Sequence, residues 1–562
     1  MNNTLLILLL GIVSLLHSAS AQVLTNGQVY PWNPGVRGGI PYYPNSITVT
    51  GAVGNGIADD YQAITNAMRR TTNGGAVYLP AGTYRVNTEI NFTYPTSIVI
   101  RGAGPSLTKI ISYATSGGAG AINFGLDTSR TTAAYATNGY TFMSSNLTLT
   151  SVSGIATGQM ARLLQTNDPA AIFGYSSQNY EQGELFIVTN ISGNTITFDR
   201  PLSYTYGASF GPFVESFTKS TRYCGLEDLT VEMGTTNTTK FNPVYFRIAN
   251  NCWLTNCVIT NGVEDNVMIS QCARISVVGS RLENHHTYTS ASRYGVLLGE
   301  WTSDCLIEDN IIQGNNVAVI VQYGASGNVI GYNFSDRGFV HDGYGGIYPA
   351  PTDNSGGFFA GHGFNPRMNL FEGNVANGFG VDDTWGQNNN NTFHRNWATR
   401  FSYYNPTNFS LVANQGIFGI VNDATNWFQN YVGNIVGSPR DSNSVSTADI
   451  YIGVSRQHGN TFDGGYASNT CVFVGNFSWR TNGTYWPSGA PVTLTNSYYM
   501  SAKPGWFGTL GWPAIGPDVN TTATITNSAV IPAQARFLGQ NYTTIFVTNS
   551  ARSTRLRGWR GL

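Results

Sequence analysis

A short segment that ends in asparagine recurs along the second half of the chain, and it constrains the fold more than any other feature. Each copy has alternating apolar residues before the Asn and turn-forming residues nearby. Two of the intervals are 23 residues (Asn310 to Asn333) and 22 residues (Asn374 to Asn396) long. We interpret the longer intervals as the same unit with loop insertions. The markers are Asn256, Asn310, Asn333, Asn374, Asn396, Asn434 and Asn476.

This period predicts a solenoid. Short strands that repeat at this interval, without helical periodicity, are typical of stacked coils, that is, of a parallel β-helix. Asn side chains stacked at a turn can hydrogen-bond to one another along the axis, and Asn tolerates the left-handed backbone of such a turn. We therefore interpret the marker residues as structural rather than as site residues.

The N-terminal region has a different pattern. Asp59 and Asp60 fit the N-cap positions of a short helix. Such a helix can cover the open end of a solenoid, which needs a cap for solubility. Its apolar face would consist of Ala63, Ile64, Ala67 and Met68.

The same region resembles the opening of the pectate-lyase-like superfamily, and in particular its rhamnogalacturonase and epimerase-like branch. That opening reads Gly-Asp-Gly, Asp-Asp-Thr and then Pro-Ala-Gly-x-Tyr. Here Asn55 and Tyr61 replace the first Asp and the Thr, whereas Asp59, Asp60 and Pro80–Tyr84 match. The resemblance implies an all-β fold: a right-handed parallel β-helix (solenoid) with a short N-terminal capping helix and an inserted β-rich region. It does not imply one reaction, because the family includes hydrolases, lyases, epimerases and phage tailspikes.

Five regions are expected. The apolar run from Leu5 to Leu16 and the small residues Ala19 to Ala21 are typical of a signal peptide, and the run is too short for a membrane span. The chain is therefore expected to be secreted, either extracellular or periplasmic. The regions are 1–21 (signal peptide), 22–112 (cap and first coils), 113–223 (β-rich insertion or side domain), 224–494 (main β-helix) and 495–562 (C-terminal cap or tail).

The low charge content of the chain argues against nucleic acid and membrane surfaces as partners. Only 10% of the 562 residues are charged, against about 25% in typical globular proteins. The formal net charge of -1 provides no basic field for nucleic acid and no polybasic patch for a membrane surface. We expect an extracellular polysaccharide as partner, with no nucleic acid and no membrane span. The sequence does not predict an oligomeric state.

The six cysteines are expected to be structural. No two of them form a CxxC pair, so a zinc or redox motif is not indicated. Export permits disulfides, but six cysteines allow 15 pairings and the sequence does not select one. We interpret them as small hydrophobic residues in a repetitive core.

Two stretches, "GFVHDGYGG" and "FGVDDTWGQ", carry the candidate catalytic groups. His341 and Asp342 follow the marker Asn333 by eight and nine residues, and Asp382 and Asp383 follow the next marker by the same distances. If the interval from Asn333 to Asn374 is one coil with a loop, His341 lies ~4.8 Å from Asp382, and Asp342 lies beside Asp383. Alternation then directs His341 and Asp382 outward.

A further histidine belongs to the same region. The loop at 345–368 would project beside this column and carries His362 and Arg367. Alternatively, the interval contains two coils, and His341, His362 and Asp383 then follow one another at 21-residue steps. Either register brings His362 near the acids. The predicted catalytic residues are His341, Asp342, His362, Asp382 and Asp383, and the predicted substrate-binding residues are Arg367, Arg400, Tyr404 and Trp385, the two aromatic residues by stacking on sugar rings.

Hydrolysis of a glycosidic bond is one chemistry that these groups allow. It needs two carboxyl groups ~5 Å or ~6.5–9.5 Å apart, and two of Asp342, Asp382 and Asp383 could supply them. Polygalacturonase-like hydrolases of the superfamily have an Asp pair followed, one coil later, by Gly-His-Gly. In this chain Gly361-His362-Gly363 precedes the Asp pair, so the roles do not transfer directly.

β-Elimination on a uronate is the other chemistry. His341 or His362 would remove the proton beside the carboxylate, and Arg367 or Arg400 would neutralise that carboxylate. We expect no cofactor and no metal site. Calcium held by the clustered aspartates is an alternative, although no EF-hand-like spacing supports it.

The sequence thus predicts a secreted enzyme that cleaves an acidic, pectin-like and uronate-containing polysaccharide by hydrolysis or by β-elimination. The alternative is a non-catalytic carbohydrate-binding or surface structural β-helix. The two differ in whether His341, Asp382 and His362 line one cleft.

Overall fold

A computed structural model of the protein shows the architecture. It describes residues 23–24, 27–93, 97–114, 120–169, 180, 182–234, 242–286, 292–336, 357–400, 403–404, 411–413, 419–437, 450–452, 454–455, 461–462, 465–487, 491–519 and 529–539. The predicted signal peptide and the candidates His341 and Asp342 lie outside these residues. No described helix is long and apolar enough to span a membrane.

Three long parallel sheets form the body of the molecule, and each turn of the chain adds one strand to each sheet in order. The first sheet has the strands Asn45–Thr48, Gly75–Leu79, Ile98–Gly102, Gly225–Glu227, Trp253–Thr255, Ser276–Val278, Leu306–Glu308, Val329–Gly331, Leu370–Glu372, Thr392–His394, Asn430–Val432 and Val472–Val474. The second has Asn55–Asp59, Gly82–Val86, Thr108–Ser112, Thr230–Met233, Val258–Gly262, Arg281–His285, Ile311–Gln313, Phe334–Asp336, Val375–Ala376, Trp397–Ala398, Ile435–Val436, Asn476–Ser478 and the antiparallel Gly483–Tyr485. The third has Ile90–Phe92, Gly120–Gly125, Asn242–Arg247, Val267–Ser270, Tyr294–Gly299, Val317–Val321, Phe358–Ala360, Phe379–Val381, Ile420–Asn422 and Ile450–Ile452.

This arrangement confirms the predicted right-handed parallel β-helix. Side chains at alternate strand positions point into one continuous apolar core along the axis. Equivalent positions on successive coils stack on each other, so aromatic residues form columns. The rings of Phe371, Phe393 and Tyr431 stack with centroid distances of 4.6 and 5.1 Å.

The predicted asparagine ladder is present between the first and second sheets. Asn374 is representative: its Oδ1 accepts hydrogen bonds from the backbone N–H (2.9 Å) and the Nδ2 (3.0 Å) of Asn333. Its own Nδ2 donates to the carbonyl of Ile330 (2.8 Å) and to Oδ1 of Asn396 (3.0 Å). The ladder contains Asn310, Asn333, Asn374, Asn396, Asn434 and Asn476.

Two details of the predicted ladder were wrong. Asn256 is not a member, because Cys257 occupies the equivalent position and its N–H donates to Ser280 Oγ at 3.1 Å. The left-handed backbone lies one residue before the ladder Asn rather than at it. The residues with positive φ at that point include Asp309, Tyr332, Gly373, Arg395, Gly433 and Gly475.

The N-terminal helix Tyr61–Arg70 packs Ile64, Ala67 and Met68 against the end of the core, as predicted for a cap. Asp60 occupies the N-cap position, as predicted, but its side chain makes no capping hydrogen bond. Its carboxylate accepts hydrogen bonds from the N–H groups of Val53 (2.6 Å) and Gly54 instead of capping the helix. Two further short helices span Tyr466–Thr470 and Pro532–Phe537, and 3₁₀ turns span Ala208–Phe210 and Gly505–Phe507.

The inserted β-rich region is a closed antiparallel barrel with its own apolar core. The predicted start of the insertion at 113 is too early, because Gly120–Gly125 still belongs to the third sheet of the solenoid. The barrel strands are Ala134–Asn138, Asn146–Leu149, Met160–Leu164, Gly183–Ser192, Thr195–Phe198 and Phe213–Ser216.

A buried ion network fixes the barrel to the solenoid. Arg200 of the barrel lies 3.4 Å from Glu184 and 3.4 Å from Asp304 of the solenoid. Arg274 of the solenoid pairs with Asp304 at 3.2 Å and with Asp199 of the barrel. Because removal of one member would leave a buried charge without compensation, this network holds the two parts in one orientation.

The C-terminal region packs along the outside of the solenoid. Arg395 pairs with Asp518 at 2.7 Å, and the ring Nε2 of His394 lies 3.0 Å from the carbonyl of Thr495. Glu372 accepts a hydrogen bond from the N–H of Tyr498 at 2.9 Å. These contacts show that Glu372, His394 and Arg395, on two successive coils, are buried for structural reasons.

The six cysteines form no disulfide with one another. Five are buried, and Cys471 is half-buried. Burial raises the pKa of Cys272 to about 12, so its thiol remains protonated near neutral pH. This agrees with the interpretation of the cysteines as small hydrophobic core residues.

Candidate functional site

The strand pairing of the third sheet corrects the predicted register. Ala360 pairs with Val381, so the residue beside Asp382 on the preceding coil is Gly361 and not His341. The extra residues of this coil enter before the strand Phe358–Ala360, whereas the prediction placed the loop after it. Since strands and ladder show the interval from Asn333 to Asn374 to be one coil, the two-coil alternative is also wrong.

The structure brings His362 and Asp382 together at the C-terminal edge of the third sheet. The backbone N–H of His362 donates to Asp382 Oδ1 at 2.7 Å, and the ring Nδ1 lies 3.3 Å from Oδ2. The N–H of Thr384 also donates to Oδ1, at 3.1 Å. The carboxylate thus binds both the backbone and the ring of His362. The side chain of His362 is 36% exposed and that of Asp382 is 12% exposed, so the pair is open to solvent on the histidine side.

Two glycines permit this close approach. Gly361 has φ +149°, and a Cβ there would lie 2.9 Å from the backbone N and O and from Oδ1 of Asp382. Gly363 has φ +156°, and its Cβ would lie 2.7 Å from the ring of Tyr323 on the preceding coil. The Gly-His-Gly sequence is therefore explained by space: a side chain at 361 would meet Asp382, and one at 363 would meet Tyr323.

The other predicted residues near the pair differ in accessibility. Asp383 is buried, with 1% of its surface exposed. Trp385 is 37% exposed, and its ring meets that of His362 edge to face at a centroid distance of 6.2 Å. Asp423, which the sequence analysis missed, follows the strand Ile420–Asn422 and so occupies the position of Asp382 on the next coil, but it is fully buried.

Three predicted substrate-binding residues are not paired into the column of His362 and Asp382. Arg367 is buried between solenoid and barrel, with its guanidinium 4.1 Å from the ring centroid of Tyr204 and 2.7 Å from Asn365 Oδ1. Arg400 is buried as well. Tyr404 belongs to a separate antiparallel pair, Tyr403–Tyr404 with Leu411–Ala413, rather than to the next coil. Neither arginine is therefore placed to bind a polysaccharide at this edge.

The electrostatics of the pair favour an ionised carboxylate. Burial by itself would raise the pKa of Asp382, but the charge of His362 and the hydrogen bonds from His362 and Thr384 outweigh it. The pKa lies below its ordinary value of 3.8. Near neutral pH the site therefore contains a carboxylate that is held against an imidazole.

A stability measurement tests this pairing. Because the pKa of Asp382 is lower in the folded chain than in the unfolded chain, the ionised form stabilises the fold above the ordinary value of 3.8, and this contribution is lost as pH falls below it. Asp382→Asn is expected to lower the free energy of unfolding by about 1 kcal/mol at neutral pH, a modest value since His362 is partly exposed. In urea titrations the difference from wild type should shrink as pH drops through 4 to 3. A difference that grows instead would contradict the assigned pairing.

Within the described residues, no group of three or more His, Cys, Asp or Glu side chains is arranged to hold a metal ion. Asp342, the third acid of the suggested calcium cluster, lies outside these residues. Of the other two, Asp382 is already bound to His362, and Asp383 is buried. The expectation about calcium stays a prediction.

Residues 45–196 match the family described as rhamnogalacturonase A/epimerase, pectate lyase-like. No curated protein matches the sequence. Among solved structures, the Pseudomonas phage phi297 tailspike gp61 is similar (14% identity, 71% of this chain and 71% of that chain, TM-score 0.48). The A-module of the Azotobacter vinelandii mannuronan C-5 epimerase AlgE6 is also similar (12% identity, 77% and 93%, TM-score 0.39). So is pectate lyase Pel9A (10% identity, 76% and 84%, TM-score 0.32).

The family match covers the capping helix, the first coils and most of the barrel strands, which is the region where the sequence motifs lie. The remaining coils continue the same three sheets without interruption of their order. Residues 45–196 are therefore similar to the pectate-lyase-like family, and the described coils beyond them have the same parallel β-helix fold.

Proposed function

We propose that this protein cleaves an acidic, uronate-containing polysaccharide by β-elimination, with His362 as the base that removes the proton beside the sugar carboxylate. The observation that carries the proposal is the pairing of His362 with Asp382 at a partly exposed edge of the solenoid. A carboxylate opposite Nδ1 favours the tautomer with its proton on Nδ1, and Nε2 is then the basic nitrogen of the ring. The same carboxylate stabilises the imidazolium that forms when Nε2 accepts a proton.

Hydrolysis is less well supported by the described residues. It needs two carboxyl groups that reach the glycosidic bond from opposite sides. Asp383 and Asp423 are buried, and Asp382 is already bound to His362 and Thr384. Two accessible carboxyl groups are therefore not available among these three aspartates, whereas an oriented histidine is.

The shape of the molecule supports a long-chain substrate. Successive coils repeat at ~4.8 Å and form an extended edge along which a polysaccharide can lie. Beside His362, the half-exposed ring of Trp385 offers an apolar face for a sugar ring. The segment 1–21 supports export, since it has the pattern of a cleaved signal peptide. Mass spectrometry of the exported protein is expected to give Gln22 as the first residue.

The test is a panel of pectins, rhamnogalacturonan and alginate, digested by the chain from Gln22 onward, with and without calcium. Reducing ends and ultraviolet absorbance are followed together. We expect both signals to rise, because elimination leaves an unsaturated uronate at each cleaved bond. Reducing ends without absorbance would contradict elimination and indicate hydrolysis. A folded protein that gives neither signal but binds a polysaccharide would indicate a non-catalytic carbohydrate-binding β-helix.

The glycine beneath the carboxylate provides a second test. Gly361→Ala puts a Cβ 2.9 Å from three atoms of Asp382 and must displace the carboxylate or the loop. A displacement of about 1 Å in a catalytic group costs about 10²-fold in rate, so we expect a loss of that order in kcat.

The matched control for this variant is Gly104→Ala. Gly104 has a similar φ of +140°, but its nearest neighbour within contact range would be Leu107 at 3.9 Å. Both variants carry a similar backbone strain, and Gly361→Ala adds the steric conflict with Asp382. Only Gly361→Ala should lose activity, and equal activity of the two variants would remove Asp382 from the proposed mechanism.

A further inference from the structure

A row of half-buried polar side chains continues along the edge on which His362 lies. The pairing of the third sheet places Arg247 beside Ser270 and Ser270 beside Gly299, and the next two coils follow in the same register. Arg247 therefore lies four coils before His362, about 19 Å away along the axis at ~4.8 Å per coil. Glu300 and Tyr323, also half-buried, lie on the coils between them.

Arg247 is an outward-facing cation on this edge. Its neighbours Val244 and Phe246 point into the core, and alternation directs Arg247 to the outside. Within the described part of the chain its guanidinium forms no hydrogen bond or ion pair, and its Nε atom is buried without a partner. Buried polar groups of this kind are rare in folded proteins, so Arg247 needs an explanation.

The acid on the same edge does not neutralise it. Glu300 accepts hydrogen bonds through Oε2 from Ser270 Oγ and from Gln271 Nε2, each at 2.7 Å. It forms no ion pair with Arg247, although both residues are described. Gln271 is 8% exposed, and its Oε1 also lacks a partner in the described residues. The cluster thus combines a cation available to a ligand with a carboxylate and an amide that can bind hydroxyl groups.

We infer that Arg247 binds a carboxylate of the acidic polysaccharide several sugar residues away from the bond that His362 cleaves. The inference rests on the proposed function of the His362 edge and adds a distant subsite with a stated chemistry. Arginine matches a carboxylate in geometry and charge and gives strong, bidentate hydrogen bonds. Glu300, two coils further along the same edge, can accept hydrogen bonds from sugar hydroxyls. Uronate oligomers that span about four coils reach both groups, and shorter oligomers do not.

The test measures binding without turnover. Isothermal titration compares His362→Asn with the double variant His362→Asn/Arg247→Gln, using size-graded oligogalacturonates and oligomannuronates and the methyl esters of the former. For long acidic oligomers we expect the double variant to bind about tenfold or more weakly, the usual effect of removing a charge-assisted hydrogen bond. Short oligomers and methyl esters should bind both proteins equally. Arg69→Gln, on the exposed face of the capping helix, is the matched control.

The outcomes separate the subsite from the reaction. Equal binding of long acidic oligomers by the two variants overturns the subsite, even if the wild type releases unsaturated products. If the double variant binds long acidic oligomers more weakly than His362→Asn and the Arg69→Gln control does not, the subsite is upheld. This holds even if the wild type releases no product and the proposed reaction fails. A failure of all oligomers to bind overturns the subsite as well. Circular dichroism and thermal melting of each variant exclude unfolding as the cause.

Discussion

Replacing His362 with asparagine is expected to lower kcat on a uronate polysaccharide by about 10²–10⁴-fold and to leave the fold intact. Asparagine cannot accept the substrate proton near neutral pH. It tolerates the left-handed backbone at this position, where φ is +57°, better than most residues. The backbone N–H of residue 362 is also retained, so its 2.7 Å hydrogen bond to Asp382 remains possible. The loss should therefore appear in turnover rather than in stability.

His286→Asn is the control for this prediction. His286 lies on the second-sheet side of the solenoid, with its Nε2 2.6 Å from the carbonyl of Met233, and has no place in the proposed reaction. Initial rates over a substrate series separate kcat from KM for both variants, and urea unfolding reports stability. If His362→Asn retained wild-type turnover, His362 would not be the base.

Replacing Asn374 with leucine is expected to lower the free energy of unfolding by about 3–5 kcal/mol, because it removes one step of a fully buried ladder. The backbone N–H and Nδ2 of Asn333 lose an acceptor, and the carbonyl of Ile330 loses a donor. Each buried polar group without a partner costs about 1–3 kcal/mol. Since coils contact only their neighbours, the damage should remain local and could broaden the unfolding transition.

Two comparison variants define this effect. Asn374→Ser should cost less, because Ser280 occupies the same position in an earlier coil, accepts from Cys257 N–H and donates to the carbonyl of Val278. Asn138→Ala, at the exposed end of a barrel strand, should change stability by no more than about 0.5 kcal/mol. Urea titration measures all three variants. A cost for Asn374→Leu no larger than that of Asn138→Ala would contradict a stabilising role of the ladder.

The solenoid could be predicted because its cause is local and periodic. Six successive coils carry an amide at one turn, so asparagine recurs at a spacing that the sequence shows directly. In the coil of Asn256 the ladder position is one residue later, at Cys257, for a physical reason. The backbone N–H of the ladder position needs a side-chain acceptor on the next coil, and Ser280 supplies one to Cys257. A pattern of asparagines alone does not reveal such substitutions.

The register of the site could not be counted from the sequence, because loop insertions carry no periodic signal. The prediction assumed that residues after the marker continue the coil, but in this coil the third-sheet strand begins only at Phe358. His362 was nevertheless placed near Asp382, since both alternatives brought it to the same edge. The two glycines beside His362 were a usable signal, because a polar residue between glycines indicates close backbone approach.

Arg367 shows why burial could not be predicted. In sequence it lies five residues after His362, and both were predicted to lie in the loop at 345–368. In the fold it contacts Ser203, Tyr204 and the barrel, more than 160 residues earlier in the chain. Contacts between the solenoid and an inserted domain depend on how the two parts dock, and no local pattern of the sequence encodes that.

Digestion in water enriched in heavy oxygen tests the central claim most directly. Hydrolysis adds one water to each cleaved bond, so its products carry the heavy oxygen at the new end and weigh one water more than the products of elimination. We predict products that lack the added water, each with an unsaturated uronate at the new non-reducing end, and none from His362→Asn. Labelled products of hydrolytic mass would contradict the account and would assign the reaction to the aspartates.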